Sequence, residues 1–103
     1  LEKHLVDITE DAAADIFQAF EWYLGIGATL SERFLSEIAV AIQSLEQNPF
    51  SFAIRFSDLR RVNLKKFPYY LLFFLSESER KVVVIGVYHE RALPDIRHGN
   101  FDE

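Results

Sequence analysis

Five cations fall within residues 55–66 of the chain: Arg55, Arg60, Arg61, Lys65 and Lys66, against the single acid Asp58. Side chains of this kind neutralise phosphate or carboxylate oxygens, Arg by a planar fork and Lys as a point charge. Residues Arg60 to Lys65 alternate in character. The pattern places Val62 and Leu64 on one face of a strand and Arg61, Asn63 and Lys65 on the other. Arg61 and Lys65 are then two pleats apart, about 13 Å, a spacing that suits two successive phosphates better than one. A second set closes the last hydrophobic run: Tyr88, His89 and Arg91. His89 is the side chain suited to proton transfer near neutral pH. By period-two counting it shares a face with Val83, Ile85 and Val87, which also makes it a candidate for a buried, hydrogen-bonded structural residue. Arg91 has the same parity. Glu90, Asp95 and His98 match no standard metal-ligand spacing.

These side chains need a scaffold, and the hydrophobic pattern supplies one. Residues 1–8 alternate loosely and predict a short first strand. Thr9 reads as a helix N-cap, with Glu10 and Asp11 complementing the helix dipole. Ala13, Ile16, Phe17, Phe20, Tyr23 and Leu24 recur at helical spacing. Trp22 and Tyr23 are expected in the core. Gly25 and Gly27 are expected to end this helix and supply a turn of about four residues. Thr29 or Ser31 then caps a second helix with the stripe Leu30, Phe34, Leu35, Ile38, Ala41, Ile42 and Leu45. Asn48-Pro49 stops it, because the residue before proline avoids the α region.

The period then changes. Phe50, Phe52, Ile54 and Phe56 alternate in a loop or short strand. Tyr69 to Leu75 is a continuous apolar run, Ser76 to Glu79 a polar turn, and Lys81 to Tyr88 the strongest strand signal. Short links predict an antiparallel meander. The expected fold class is α+β: one domain over residues 1–103, an N-terminal helical hairpin packed on a small antiparallel sheet whose other face is partly open. The tail from Arg91 to Glu103 is polar and reads as one helical turn or a loose end.

Composition narrows the function classes. The chain has 103 residues, no cysteine and a formal charge of −5. A thiolate nucleophile, a disulfide framework and a Cys-based metal site are excluded, and the composition fits a reducing cytosol. No signal peptide or membrane-length apolar run is present. A chain opening on Leu1 is expected to lack its native start. The charge is divided unevenly. Residues 1–48 carry nine acids and two bases, a net of −7. Residues 49–103 carry seven acids and nine bases, a net of +2, and residues 55–66 alone carry +4. Net acidity argues against a general nucleic-acid coat protein but leaves room for an anionic partner on the sheet. Ten Phe, four Tyr and one Trp exceed what a thin two-layer core hides. An exposed apolar groove is therefore expected between the hairpin and the sheet edge, fit for a partner's helix or an added strand.

The order of these features resembles the RelE/ParE superfamily of toxins from type II toxin–antitoxin systems. The resemblance rests on a two-helix first half with Trp22-Tyr23 and Arg33-Phe34, then Leu45 through Pro49, RRVNLKKFPYYLLFFL, a short charged turn and KVVVIGVYHERALP. It covers nearly the whole chain. It implies a small cytoplasmic toxin, with no cofactor or metal, silenced by a cognate antitoxin that lies in the groove. The FPYYLLFFL strand and the HERALP ending look more like the ParE-leaning, plasmid-stabilisation branch, whose members poison DNA gyrase. RelE-like relatives instead cut mRNA on the ribosome. That chemistry needs a base for the 2′-hydroxyl, cations on the phosphate and an acid for the leaving oxygen. Carried over here, it falls to Arg61, Lys65, His89 and Arg91. Relatives that use Glu and a His-Tyr pair are matched poorly: Asp58 is the nearest acid, and this chain reads Tyr88-His89. On the binding reading Arg60, Arg61, Lys65, Lys66 and Arg91 contact the target or the antitoxin. A third reading is a non-toxic, degenerate binding module. An acidic chain is handicapped as a ribosomal nuclease, which favours the ParE-like reading. A homodimer or a toxin–antitoxin hetero-oligomer is the expected assembly.

Overall fold

Thr9 is where the chain turns from strand to helix. Its side chain accepts the Ala12 N–H at 3.1 Å, and Glu10 and Asp11 occupy the first helical turn. This satisfies one of the free N–H groups of a helix start and sets acids against its positive end. The computed structural model describes residues 3–91, the Phe56 side chain excepted. Along it run β1 (Leu5–Ile8), α1 (Glu10–Ile26), α2 (Ala28–Gln47), a 3-10 turn (Pro49–Ser51), β2 (Ile54–Phe56), β3 (Leu59–Asn63), β4 (Tyr69–Ser76) and β5 (Lys81–His89). The tail beyond Arg91, with Asp95 and His98, lies outside the described residues.

The helices differ from the sequence expectation at their junction. Gly25 lies inside α1, and Gly27 alone connects α1 to α2 with extended backbone (φ 177°, ψ 146°). Thr29 and Ser31 are therefore helical rather than caps, and the Ser31 hydroxyl donates back to the Ala28 carbonyl at 2.7 Å. The proline stop holds, since α2 ends at Gln47 with Asn48 as its cap. Ala12, Ala19, Phe34, Ile38, Ala41 and Leu45 point into the core. Small residues on α1 let it lie close to its neighbours. Tyr23 joins the core but Trp22 does not. It is 68% exposed, because the buried face of α1 is centred on Ala12, Ala19 and Tyr23.

The sheet order is β1-β5-β4-β3-β2. β2 to β5 form the expected antiparallel meander. β1 pairs with β5 in parallel, Leu5 opposite Lys81 and Ile8 opposite Val84, so the sheet is mixed rather than antiparallel. The intervening hairpin is the crossover that a parallel pair requires. Both faces of β4 are covered. One core contains Phe34, Leu45, Leu71, Phe73, Val82 and Val84 under the helices. The other, on the face away from them, contains Leu59, Tyr70, Leu72 and Ile85. On that second face Tyr70 is only 2% exposed, while Phe74, Val83 and Tyr88 are only half-buried, so the face is partly open. A strand buried on both sides reads as an unbroken apolar run, which is how Tyr69 to Leu75 reads.

One irregularity governs the site. Phe73 pairs with Val84 and Leu72 with Gly86, so Ile85 is an extra residue in β5. Such a bulge changes which face the following residues occupy. Val82, Val84 and Val87 all belong to the helix-side core, whereas Val83, Ile85 and Tyr88 belong to the other face. The expectation that Val83, Ile85, Val87 and His89 share one face fails at this point.

Candidate functional site

The site is built from the β3–β4 turn and the end of β5. β3 ends at Asn63, and Leu64 closes the turn by donating its N–H to the Tyr69 carbonyl at 2.9 Å. Lys65 and Lys66 lie in this turn, past the strand. The spacing expected for Arg61 and Lys65 on one strand face is thus not realised. The reason is Pro68: with no N–H to continue a ladder, it forces the chain to turn before β4. Glu37 on α2 holds the turn. Its carboxylate accepts the Lys65 N–H at 2.8 Å and the Lys66 N–H at 3.0 and 3.2 Å. The ammonium groups of both lysines are left facing solvent.

His89 and Arg91 reach the same end of the sheet. Tyr69 pairs with His89 in register, and their rings meet edge to face at 5.3 Å. The Glu90 N–H donates to the Pro68 carbonyl at 2.7 Å, fastening the end of β5 to the lysine turn. His89 Nδ1 accepts the Arg91 N–H at 3.1 Å, so the neutral imidazole carries its proton on Nε2. Beneath lies an aromatic cluster. The Tyr23 ring is 4.9 Å from Phe67 and 5.4 Å from Phe34, and Phe34 lies 5.6 Å from Tyr69. Burial raises the Tyr23 and Tyr69 phenols above their usual 10.0, and Tyr69 adds to the shift at Tyr23.

Arg61 and Arg60 are neighbours in sequence and face opposite sides. Arg61 pairs with Leu72 on the side away from the helices. Its guanidinium lies 4.2 Å from the centre of the Tyr70 ring, a cation–π stack. Its Nε is buried without a hydrogen-bond partner. Burial raises the Tyr70 phenol, and the Arg61 charge and hydrogen bond oppose that shift. Arg60 faces the helix side. It donates to the Phe52 carbonyl at 2.7 Å and sits over the Phe50 ring at 5.6 Å. Neither arginine is paired with a helix acid among the described residues.

The structure therefore gathers Lys65, Lys66, His89 and Arg91 at one end. Arg61 lies three register steps away, about 10 Å along the strand and on the other face; Arg60 is tied to the Phe50–Phe52 segment. Of the four residues expected at a nuclease site, Arg61 is the one that stands apart from the others. No group of three His, Asp or Glu side chains able to hold a metal is found among the described residues. No helix there is long and apolar enough to cross a membrane.

Two members of the site were missed from sequence. Arg33 and Glu37 line a cavity of about 520 Å³ with Leu30, Ser36, Lys66 and Phe67. A second cavity of about 280 Å³ continues past Glu37 along Val40, Phe52, Val62 and Lys65. Both acids and bases on the outer face of a helix read as solvated charges, and the turn that Glu37 binds is 28 residues away.

A family model described as the ParE toxin of type II toxin–antitoxin system, parDE, matches residues 6–94. No curated protein matches the chain significantly. Among solved structures, the chain is similar to a chromosomal ParDE system from P. aeruginosa. The TM-score is 0.72 at 19% identity, covering 84% of this chain and 95% of that one. It is also similar to the RelBE2 toxin–antitoxin complex from Mycobacterium tuberculosis (TM-score 0.62, 15% identity, 84% and 98% covered). The isolated E. coli RelE toxin follows with a TM-score of 0.55, 16% identity and 93% of each chain covered. At these identities the structures establish a shared fold.

Proposed function

Since the chain belongs to the ParE toxin family of type II toxin–antitoxin systems, we propose that it arrests growth by binding DNA gyrase and that a cognate antitoxin neutralises it. The carrying observation is the distribution of its cations. Arg61 is stacked on Tyr70 on one face of the sheet, while Lys65 and Lys66 hang from a turn held by Glu37. A nuclease must converge its acid, base and cations on one phosphate; a binding surface has no such need. On this reading Arg61, Lys65, Lys66 and Arg91 contact a macromolecule. Arg60, engaged with Phe52, supports the fold. Similar folds solved as toxin–antitoxin complexes support the antitoxin as partner.

The test is a supercoiling assay with purified gyrase and relaxed plasmid. The chain is expected to inhibit supercoiling, and the protein of the adjacent reading frame to restore it. Arg61→Ala combined with Arg91→Ala is expected to abolish inhibition while leaving the fold intact by circular dichroism. Ribosome-dependent cleavage of mRNA within codons, seen by primer extension, would instead establish the RelE-like reading.

A further inference from the structure

Phe67 is the fixed wall of the larger cavity beside α2. Its ring meets Tyr23 edge to face at 4.9 Å and Phe34 at 5.5 Å. Leu30 completes the apolar lining, and Arg33, Ser36, Glu37 and Lys66 supply the polar one. The volume of about 520 Å³ falls within the range of about 300–1,000 Å³ usual for small-molecule sites. The Glu37 carboxylate is already engaged, since both its oxygens accept backbone N–H groups of the Lys65–Lys66 turn. The side chains of Arg33, Ser36 and Lys66 are not: none makes an ion pair or hydrogen bond among the described residues. What remains for a guest is two cations and a hydroxyl, in a chain of 16 acids and 11 bases. Two positive charges balance a dianion. Guanidinium, ammonium and hydroxyl donors on three separate side chains suit the terminal oxygens of a phosphate group. The Phe67 ring and the Lys66 backbone are held in place before any ligand arrives, which limits the ordering cost of binding to the Arg33 and Lys66 side chains.

We propose that this cavity binds a small phosphate monoester with a compact apolar body. The phosphate sits among Arg33, Ser36 and Lys66, and the body lies against Leu30 and Phe67. Inorganic phosphate leaves the apolar wall unused, and a neutral ring leaves the cations unused, so the combination is what the cavity selects. Lys66 is also one of the cations assigned to the macromolecular target. An occupied cavity withdraws it, and the ligand acts as a brake on the toxin; that consequence, unlike the site itself, rests on the gyrase reading above.

The test is titration calorimetry of the full chain at about pH 7.5, where a monoester is chiefly a dianion. Phenyl phosphate is the probe, with inorganic phosphate and phenol as comparators. Phenyl phosphate is expected to bind saturably, at least about tenfold more tightly than either comparator. Arg33→Gln with Lys66→Gln should weaken it about 30-fold or more. Ser36→Trp, which fills the cavity without changing charge, should weaken it about tenfold. Arg55→Gln, a cation removed elsewhere, should stay within about twofold. All variants should keep the native circular dichroism spectrum. Equal affinity for phenyl phosphate and inorganic phosphate, or full-strength binding by the double variant, reduces the site to loose attraction by surface cations and overturns it. In the supercoiling assay, saturating phenyl phosphate is expected to raise the concentration of chain needed for inhibition about fivefold. Undiminished inhibition by the ligand-bound chain overturns the brake. Absence of inhibition by the unliganded chain overturns the gyrase reading, while calorimetry still decides the site.

Discussion

The Asp15 carboxylate of α1 accepts the Val87 N–H of β5 at 3.0 Å. Val87 lies past the bulge at Ile85 and beyond Val84, the last residue of β5 that β1 pairs with. Its amide would otherwise lose a partner inside the sheet, and an unsatisfied buried N–H is costly. Thr9 anchors the same bulge: its N–H donates to the Val84 carbonyl at 3.0 Å, and its hydroxyl donates to the Ile85 carbonyl at 3.5 Å. The first turns of α1 are thereby strapped to the irregular part of β5, and the helical hairpin is fixed relative to the end of the sheet that carries His89.

Asp15→Ala is expected to destabilise the fold by about 1–3 kcal/mol, because a charge-assisted hydrogen bond is lost and an amide is left unpaired. Urea denaturation should show a lower midpoint with an unchanged m-value. A midpoint equal to that of the native chain would show that solvent satisfies Val87.

Gly86 is required by the ring of Tyr88. A Cβ at Gly86 would meet Tyr88 ring carbons at 2.6 and 2.7 Å and its hydroxyl at 2.7 Å. Gly86→Ala is therefore expected to cost about 1–3 kcal/mol. In the Tyr88→Ala background the same change should cost distinctly less. A double-mutant cycle measures the difference, and additive effects would remove the steric explanation.

Glu37→Ala should free the Lys65–Pro68 turn. Hydrogen exchange at the Lys65 and Lys66 amides is expected to accelerate by at least about tenfold, matching loss of one or more hydrogen bonds of about 1.5 kcal/mol each to a charged acceptor. Glu37→Gln, which keeps one acceptor oxygen, should fall between. Unchanged exchange at both amides would dismiss the clamp.

Tyr23, Tyr69 and Tyr70 all have phenols raised above 10.0, in each case chiefly by burial. A group whose folded pKa is raised contributes stability that is full below its unfolded value and is lost as pH rises through the folded value. Thermal melts from pH 8 to 11.5 should therefore be flat up to about pH 10 and then fall. Tyr69→Phe and Tyr70→Phe should each make the alkaline fall shallower. An equally steep fall in both variants would place the titrating groups elsewhere.

Much of the fold is decided locally. Thr9 caps α1 because its hydroxyl and the following acids suit a helix start. Asn48-Pro49 stops α2 because a proline ring excludes the α conformation before it. The apolar runs at Tyr69 to Leu75 and Lys81 to Tyr88 form strands in any packing, and the basic character of residues 55–66 is a matter of counting. The placement of charge on two chemically different halves was likewise legible.

Tertiary structure decided the rest. The parallel partner of β1 is set by where the hairpin delivers the chain, with Thr9 76 residues from the Ile85 carbonyl that it meets at the bulge. The bulge has no local signature, yet one extra residue in β5 moves Val87 and His89 to the face opposite Ile85. Rotation of α1 about its axis left Trp22 in solvent and put Tyr23 in the aromatic cluster, a choice that helical periodicity leaves open to within one position. Arg60 and Arg61 were separated by the pleat, and Lys65 left the strand because Pro68 ended the ladder. Glu37 became a clamp only when α2 was laid beside the β3–β4 turn. Residue types and short-range spacing fixed what each segment is. Register, helix rotation and long-range hydrogen bonds fixed which charges meet, because these depend on partners distant in the chain.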